Sequence, residues 1–93
     1  MIRSFANPET ERIWNRNRSK RFPVDMQQRA MRRLTLLDTA NTLDELGNLK
    51  GNRLHPLKDN RAGQHSISIN LQWRICFVWK DGDAYDVEIT DYH

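Results

Sequence analysis

The chain has a single cysteine, Cys76, so no disulfide can close within it and no zinc site can be built on cysteine. Such usage suits a reducing compartment. No stretch approaches the roughly 20 apolar residues that a membrane-spanning helix needs. The opening Met1-Ile2-Arg3-Ser4-Phe5 is also without the apolar run of a secretory leader. The expectation is a soluble cytoplasmic protein with no membrane contact. The glycine-rich phosphate cradle, the Ser-His-Asp order and the metal-binding helix pattern are missing as well, which excludes the commonest motif-bearing enzyme classes. Acid is scarce over one long stretch: from Arg12 to Arg33 eight basic side chains stand against Asp25 alone, a net of +7 in a chain whose total is +3. Base is scarce in another: from Asp81 onward there are five acids and no Lys or Arg. This segregation points to a polyanion partner for the basic part, beside the plainer reading of a solvated helical face.

The 93 residues suffice for one domain, 1–93, and leave no room for a second. A core this small gives a narrow stability margin, which a bound partner would widen by mass action.

Ile2 to Ala6 reads as a short strand. Asn7 then caps a short helix that Pro8 opens and whose positive end Glu9 and Glu11 favour. It should fray near residues 17–20. Phe22-Pro23 marks a boundary, and Asp25 is expected to cap the next helix, roughly 25–40. Met26, Ala30, Leu34 and Leu37 recur there at helical spacing, with Arg29, Arg32 and Arg33 off that stripe. Leu43, Leu46 and Leu49 suggest a turn of helix that packs down. Pro56 bars residues 53–58 from being a central strand.

Three strands close the chain. Ile67, Ile69 and Leu71 share one face of the first, and Trp73, Ile75, Phe77 and Trp79 one face of the second. The Asp81-Gly82-Asp83 turn leaves two registers open for the last hairpin. A two-residue loop sets Phe77 opposite Asp86 and Ile75 opposite Glu88. A three-residue loop sets Trp79 opposite Tyr85, Phe77 opposite Val87 and Ile75 opposite Ile89. The second gathers the apolar residues on one face and is preferred, because burial fixes register. It places Arg74 across from Thr90, with Cys76, Val78 and Tyr92 on the same outer face. The expected architecture is α+β: an N-terminal strand, two helices, then an antiparallel three-stranded sheet with one face open to a ligand.

Cleaving RNA without a metal needs a base for the 2′-hydroxyl proton, an acid for the leaving 5′-oxygen and cations for the charge that builds on phosphate. Histidine suits the proton steps, and the histidines are His55, His65 and His93. Lys58, Arg61 and Arg74 are suited to phosphate, and Tyr92 to stacking a base or bonding a hydroxyl. Against this, His55 precedes a proline and would serve as a plain loop residue, and His93 stands at the last position, where chains are usually mobile. His65 opens a strand beside no other candidate and reads as structural or exposed. Trp14, Trp73 and Trp79 read as core, and Cys76 as a small buried apolar residue. Asp81, Asp83 and Asp86 read as a solvated turn rather than a metal site.

Taken in order, Leu54-His55-Pro56-Leu57-Lys58, Arg61-Ala62-Gly63-Gln64-His65-Ser66-Ile67, Trp73-Arg74-Ile75-Cys76-Phe77, Gly82-Asp83-Ala84-Tyr85 and the terminal Asp91-Tyr92-His93 resemble the HigB branch of the RelE/ParE toxin superfamily, the plasmid-maintenance killer proteins. The resemblance spans essentially the whole chain. It departs at Lys58-Asp59-Asn60-Arg61, where the family often carries Lys-Gly-Asp-Arg. It implies a RelE-like fold and a ribosome-dependent messenger RNA endonuclease that needs no metal or cofactor. The implied partners are messenger RNA, the 70S ribosome and a HigA-type helix-turn-helix antitoxin, through which alone the pair would reach operator DNA. By the same resemblance His55 and His93 transfer protons, Asp91 and Tyr92 orient RNA or the histidines, and Lys58 and Arg74 contact phosphate. A ParE-like gyrase poison, sharing the fold but not the chemistry, and a non-catalytic RNA- or ribosome-binding module are the competing readings. Strict alternation would put Asp91 and His93 on the apolar face, so they join Tyr92 only if the strand ends or twists near Thr90.

Overall fold

In the computed structural model, which describes residues 1–92, three helices lie on one face of a four-stranded antiparallel sheet. Helix α1 spans Pro8–Trp14. The Asn7 side-chain oxygen accepts from the Thr10 N–H at 2.8 Å, and proline stands first in the helix, where no N–H is needed. Beyond α1 the link is not helical. Ser19 is buried there, its hydroxyl donating to Glu9 at 2.6 Å, while the Gln27 amide donates to the carbonyls of Ser19 and Phe22 at 2.8 Å each.

Helix α2, Val24–Thr39, buries Met26, Ala30, Leu34 and Leu37, the stripe that the spacing predicted. Its cap differs from expectation. Pro23 is the capping residue and offers no side-chain bond, and Asp25 sits inside the first turn, where it favours the positive helix end without capping it. Helix α3, Leu43–Gly47, is capped by the Thr42 hydroxyl and buries Leu46, whereas Leu49 stays exposed. No helix of the described residues is long and apolar enough to cross a membrane.

The strands are β1 (His55–Pro56), β2 (Gln64–Ser68), β3 (Trp73–Lys80) and β4 (Asp83–Asp91), in that spatial order. The sheet thus has one strand more than expected. Strand β1 is an edge strand, which is where a proline can sit. The N-terminal segment contributes no strand of its own. It touches β4 through two isolated parallel bridges, Ile2 to Ala84 and Phe5 to Val87. Strand β2 also ends sooner than its alternation suggested. After Ser68 the chain turns, Asn70 accepts the N–H groups of Gln72 and Trp73 at 2.8 Å, and Leu71 stands 87% exposed instead of joining Ile67 and Ile69.

The last hairpin uses both registers. Asp81 and Gly82 take positive φ, the geometry of a two-residue turn, and set Lys80 opposite Asp83, Trp79 opposite Ala84 and Val78 opposite Tyr85. Beyond a bulge the ladder shifts by one residue. Cys76 then faces Glu88, Ile75 faces Ile89, Arg74 faces Thr90 and Trp73 faces Asp91. The extra residue falls at Asp86, whose φ of 52° marks the break and whose N–H is held by the Ser4 hydroxyl at 2.9 Å. Preference for a single register was therefore wrong near the turn. Tyr85 pairs with Val78 on the outer face, and Ala84 takes the buried place beside the core.

That core joins the α2 stripe to Ile67, Ile75, Phe77, Val87 and Ile89 of the sheet, with Trp14, Trp73 and Trp79 packed partly buried at its margin. Thr10 fastens α1 to it: the fully buried hydroxyl oxygen accepts from the Ile89 N–H at 3.0 Å. The helices take up the inner face, which leaves the outer face for chemistry.

Candidate active site

Pairing lines up two rows on the outer face: His55, Ser66, Cys76 and Glu88, then Ser68, Arg74 and Thr90. His55 is exposed on the edge strand. Its Nδ1 lies 3.1 Å from the carbonyl oxygen of Arg53. A carbonyl can only accept, so Nδ1 carries the proton, and in the neutral ring Nε2 is left as an acceptor. Ser66 Oγ is 3.4 Å from that Nε2. Arg53 presents its carbonyl from a left-handed backbone, φ 46°, which is uncommon for a residue with a side chain.

Arg74 donates from Nε to the Thr90 hydroxyl at 3.3 Å, and its guanidinium carbon lies 5.1 Å from the centre of the Tyr92 ring. This cation–π contact fixes a half-buried cation without neutralising it. Among the described residues no carboxylate lies within ion-pair distance of Arg74. The Tyr92 N–H donates to the Gln72 carbonyl at 2.8 Å, which ties the end of the chain to the β2–β3 turn. His55, Tyr92, Arg53, Asn70 and Leu71 line one groove of about 300 Å³. The structure thus brings an imidazole and a phenol to one groove and stacks a guanidinium on the phenol ring, with Ser66 Oγ 3.4 Å from the imidazole Nε2.

The other sequence candidates separate from this group. Arg61 is held by two partners, Gln64 Oε1 at 3.0 Å and Glu88 Oε1 at 3.1 Å, and it spans from its loop to β4 across the outer face. Lys58 is exposed between β1 and that loop. Asp91 pairs with Trp73 in the ladder, accepts from the Gln72 amide at 3.0 Å and borders a different cleft, with Asn7, Arg21 and Phe22. His93 lies outside the described residues. His65 is turned inward and stacks on Phe77 at 6.2 Å, and Cys76 is fully buried, as their structural readings required.

Sequence reasoning did not single out Arg53, Asn70 or Leu71. Arg53 carried a signal, two positions before His55, but only its backbone angle makes it a partner of that ring. Leu71 continues the alternation of Ile67 and Ile69, but β2 ends at Ser68.

Residues 3–93 match the model of the HigB-like toxin family, described as a RelE-like toxin of type II toxin-antitoxin system HigB. A curated relative from Proteus vulgaris, endoribonuclease HigB, is 37% identical over 93 residues and is covered in full, as is this chain. Toxin HigB-1 of Vibrio cholerae serotype O1 is 36% identical over 93 residues, covering 99% of this chain and 98% of its own. Among solved structures, YafQ from E. coli superposes with a TM-score of 0.58 over 99% of this chain and 94% of that one, at 12% identity. That last likeness is one of fold.

Proposed function

Since the chain belongs to the HigB-like family of RelE-like toxins from type II toxin–antitoxin systems, we propose that it is an endoribonuclease which cuts messenger RNA on the ribosome by metal-independent acid–base chemistry. The observation that carries this reading is the shared groove: His55 and Tyr92 line it together, and Arg74 is stacked on the Tyr92 ring.

The groups divide the work as follows. His55 Nε2 takes the proton of the ribose 2′-hydroxyl, and the freed oxygen attacks the adjacent phosphorus. A 2′,3′-cyclic phosphate forms as the bond to the 5′-oxygen breaks. His93 returns a proton to that leaving oxygen. Arg74 and Lys58 stabilise the charge on the non-bridging oxygens, and Tyr92 offers its ring to a base. Asp91 steadies the end of β4 through Gln72. Arg61, neutralised by Glu88, holds the loop that carries Lys58 and leaves the phosphate to it.

A type II toxin is paired with a protein antitoxin; here a HigA-type helix-turn-helix partner fits the family, with operator DNA reached only through the complex. The place of action is the cytoplasm, where ribosomes are.

Primer extension on a messenger RNA incubated with the purified protein, with and without 70S ribosomes, tests the reading. New 5′ ends should appear only with ribosomes and vanish in folded variants lacking His55 or His93. No ends in either condition, together with DNA damage in cells, would replace it by gyrase poisoning. Salt-sensitive ribosome binding without cuts would replace it by a binding module.

A further inference from the structure

A second groove, of about 520 Å³, runs from α2 past the 3-10 turn at residues 50–52 to the β2–β3 turn. It shares Arg53, Asn70 and Leu71 with the groove of His55 and Tyr92, so the two are continuous. Among the described residues its charged lining is Arg29, Arg33 and Arg53, with no acid. Among the described residues none of the three lies within ion-pair distance of a carboxylate.

Three features set this groove apart from a merely solvated basic face. Arg29 and Arg33 stand one helical turn apart, where like charges repel and an interposed acid would stabilise the helix. Arg33 is anchored: its Nε donates to the Ser68 carbonyl at 3.0 Å. Its tip also lies against Gly51, where a Cβ would come within 2.9 Å of Nη2, so glycine leaves the guanidinium its place. Leu71, 87% exposed, stands on the wall common to both grooves, an apolar surface with no packing role.

We propose that this groove is a phosphate track: Arg29, Arg33 and Arg53 hold the phosphodiester backbone of RNA beside the catalytic groove, and Leu71 packs against a base. Guanidiniums with no carboxylate partner among the described residues, one of them anchored, suit successive phosphates, and the shared wall lets one strand occupy both grooves. The continuity favours the substrate strand as the source of those phosphates over ribosomal RNA. The inference rests on the endoribonuclease reading for its setting, but its test reads binding as well as cutting.

The test compares an Arg29→Gln/Arg53→Gln double variant with Gly51→Ala, which moves the Arg33 tip and keeps its charge, and with Lys80→Gln, which removes one charge at the far end of the hairpin. Thermal melting first establishes that each is folded. One arm measures binding of a fully 2′-O-methylated single-stranded RNA across a salt series. The other measures binding to 70S ribosomes and the cutting of messenger RNA on them. The double variant should bind on the order of tenfold more weakly, and its dependence of log affinity on log salt should shallow by about 1.4, two single-strand phosphate contacts. Cutting should show a raised KM, and Gly51→Ala should follow in the same direction. Loss with the oligonucleotide assigns the track to the substrate strand, and loss with ribosomes alone assigns it to ribosomal RNA. If the double variant behaves like Lys80→Gln in both arms, the proposal is overturned. If the wild-type protein cuts nothing yet the double variant still loses RNA binding, the endoribonuclease reading fails and the track stands.

Discussion

His55 is the residue whose proposed chemistry separates most cleanly from stability. Its ring is exposed, and its bonds run to a backbone carbonyl and to a serine hydroxyl at the limit of bonding distance. Replacing it by alanine should lower cleavage by about 10²- to 10⁴-fold, the span of a lost proton-transfer group, while stability changes by no more than about 0.5 kcal/mol. Single-turnover cleavage beside urea melting checks both halves. Asp83 shows the opposite pattern, a residue with a structural charge and no part in the site. Its carboxyl meets the Arg3 guanidinium at 3.1 Å and the Met1 ammonium at 3.2 Å. The hydrogen bond from Arg3 holds it below the ordinary value of 3.8, against an opposing effect of partial burial and with help from the ammonium. A carboxylate lowered on folding stabilises fully above its ordinary value, and that contribution is lost as the pH falls through the lowered one. Asp83→Asn should therefore flatten this part of the acid limb of stability against pH, read by melting temperature from neutrality downward.

Among the elements, α1 and α2 hold the inner face by different means. Helix α1 is only Pro8–Trp14, and its tie to the sheet is the Thr10 hydroxyl that accepts from the Ile89 N–H. Thr10→Val keeps the shape and leaves a buried N–H with no partner, which should cost about 1–3 kcal/mol. Helix α2 works by volume. Leu34 is completely buried in the middle of its stripe, and Leu34→Ala should cost about 2–5 kcal/mol, depending on how far the site collapses. Urea denaturation measures both, and an unchanged midpoint in either variant would refute the corresponding tie. The β3–β4 hairpin adds what neither helix can. Its turn fixes one register and its buried faces fix another, and the bulge at Asp86 reconciles them.

Across the whole molecule, the sequence was most readable where periodicity and burial agree. The α2 stripe and the outward row of Arg74, Thr90 and Tyr92 follow from it, while the Asn7 cap follows from side-chain chemistry before Pro8. It misled where local chemistry overrides periodicity. Asn70 ends β2 by accepting two backbone N–H groups, so Leu71 leaves the core. Asp86 adds a residue that no alternation reveals, so Tyr85 changes face. The candidate site was legible in part: His55 and Tyr92 line one groove and Arg74 stacks on Tyr92, whereas Arg61 is claimed by Glu88, which sequence spacing alone does not disclose. Arg29 and Arg33 were visible only as charge. Their meeting with Arg53 depends on the path of the 3-10 turn, a long-range packing fact.

The bulge also has a meaning for what the gene can lose. Strand β4 holds one residue more than the ladder opposite it can use. Dropping codon 86 in frame would leave Val87 and Ile89 facing the core and Tyr85, Glu88 and Thr90 facing outward, at the cost of the Ser4 bond. It would also remove the local bend and so re-aim the stretch that ends at Tyr92. Such a chain should still melt cooperatively and yet be harmless. An in-frame deletion there, at a residue with no part in the proposed chemistry, is a lesion to seek among cells that survive expression of the toxin.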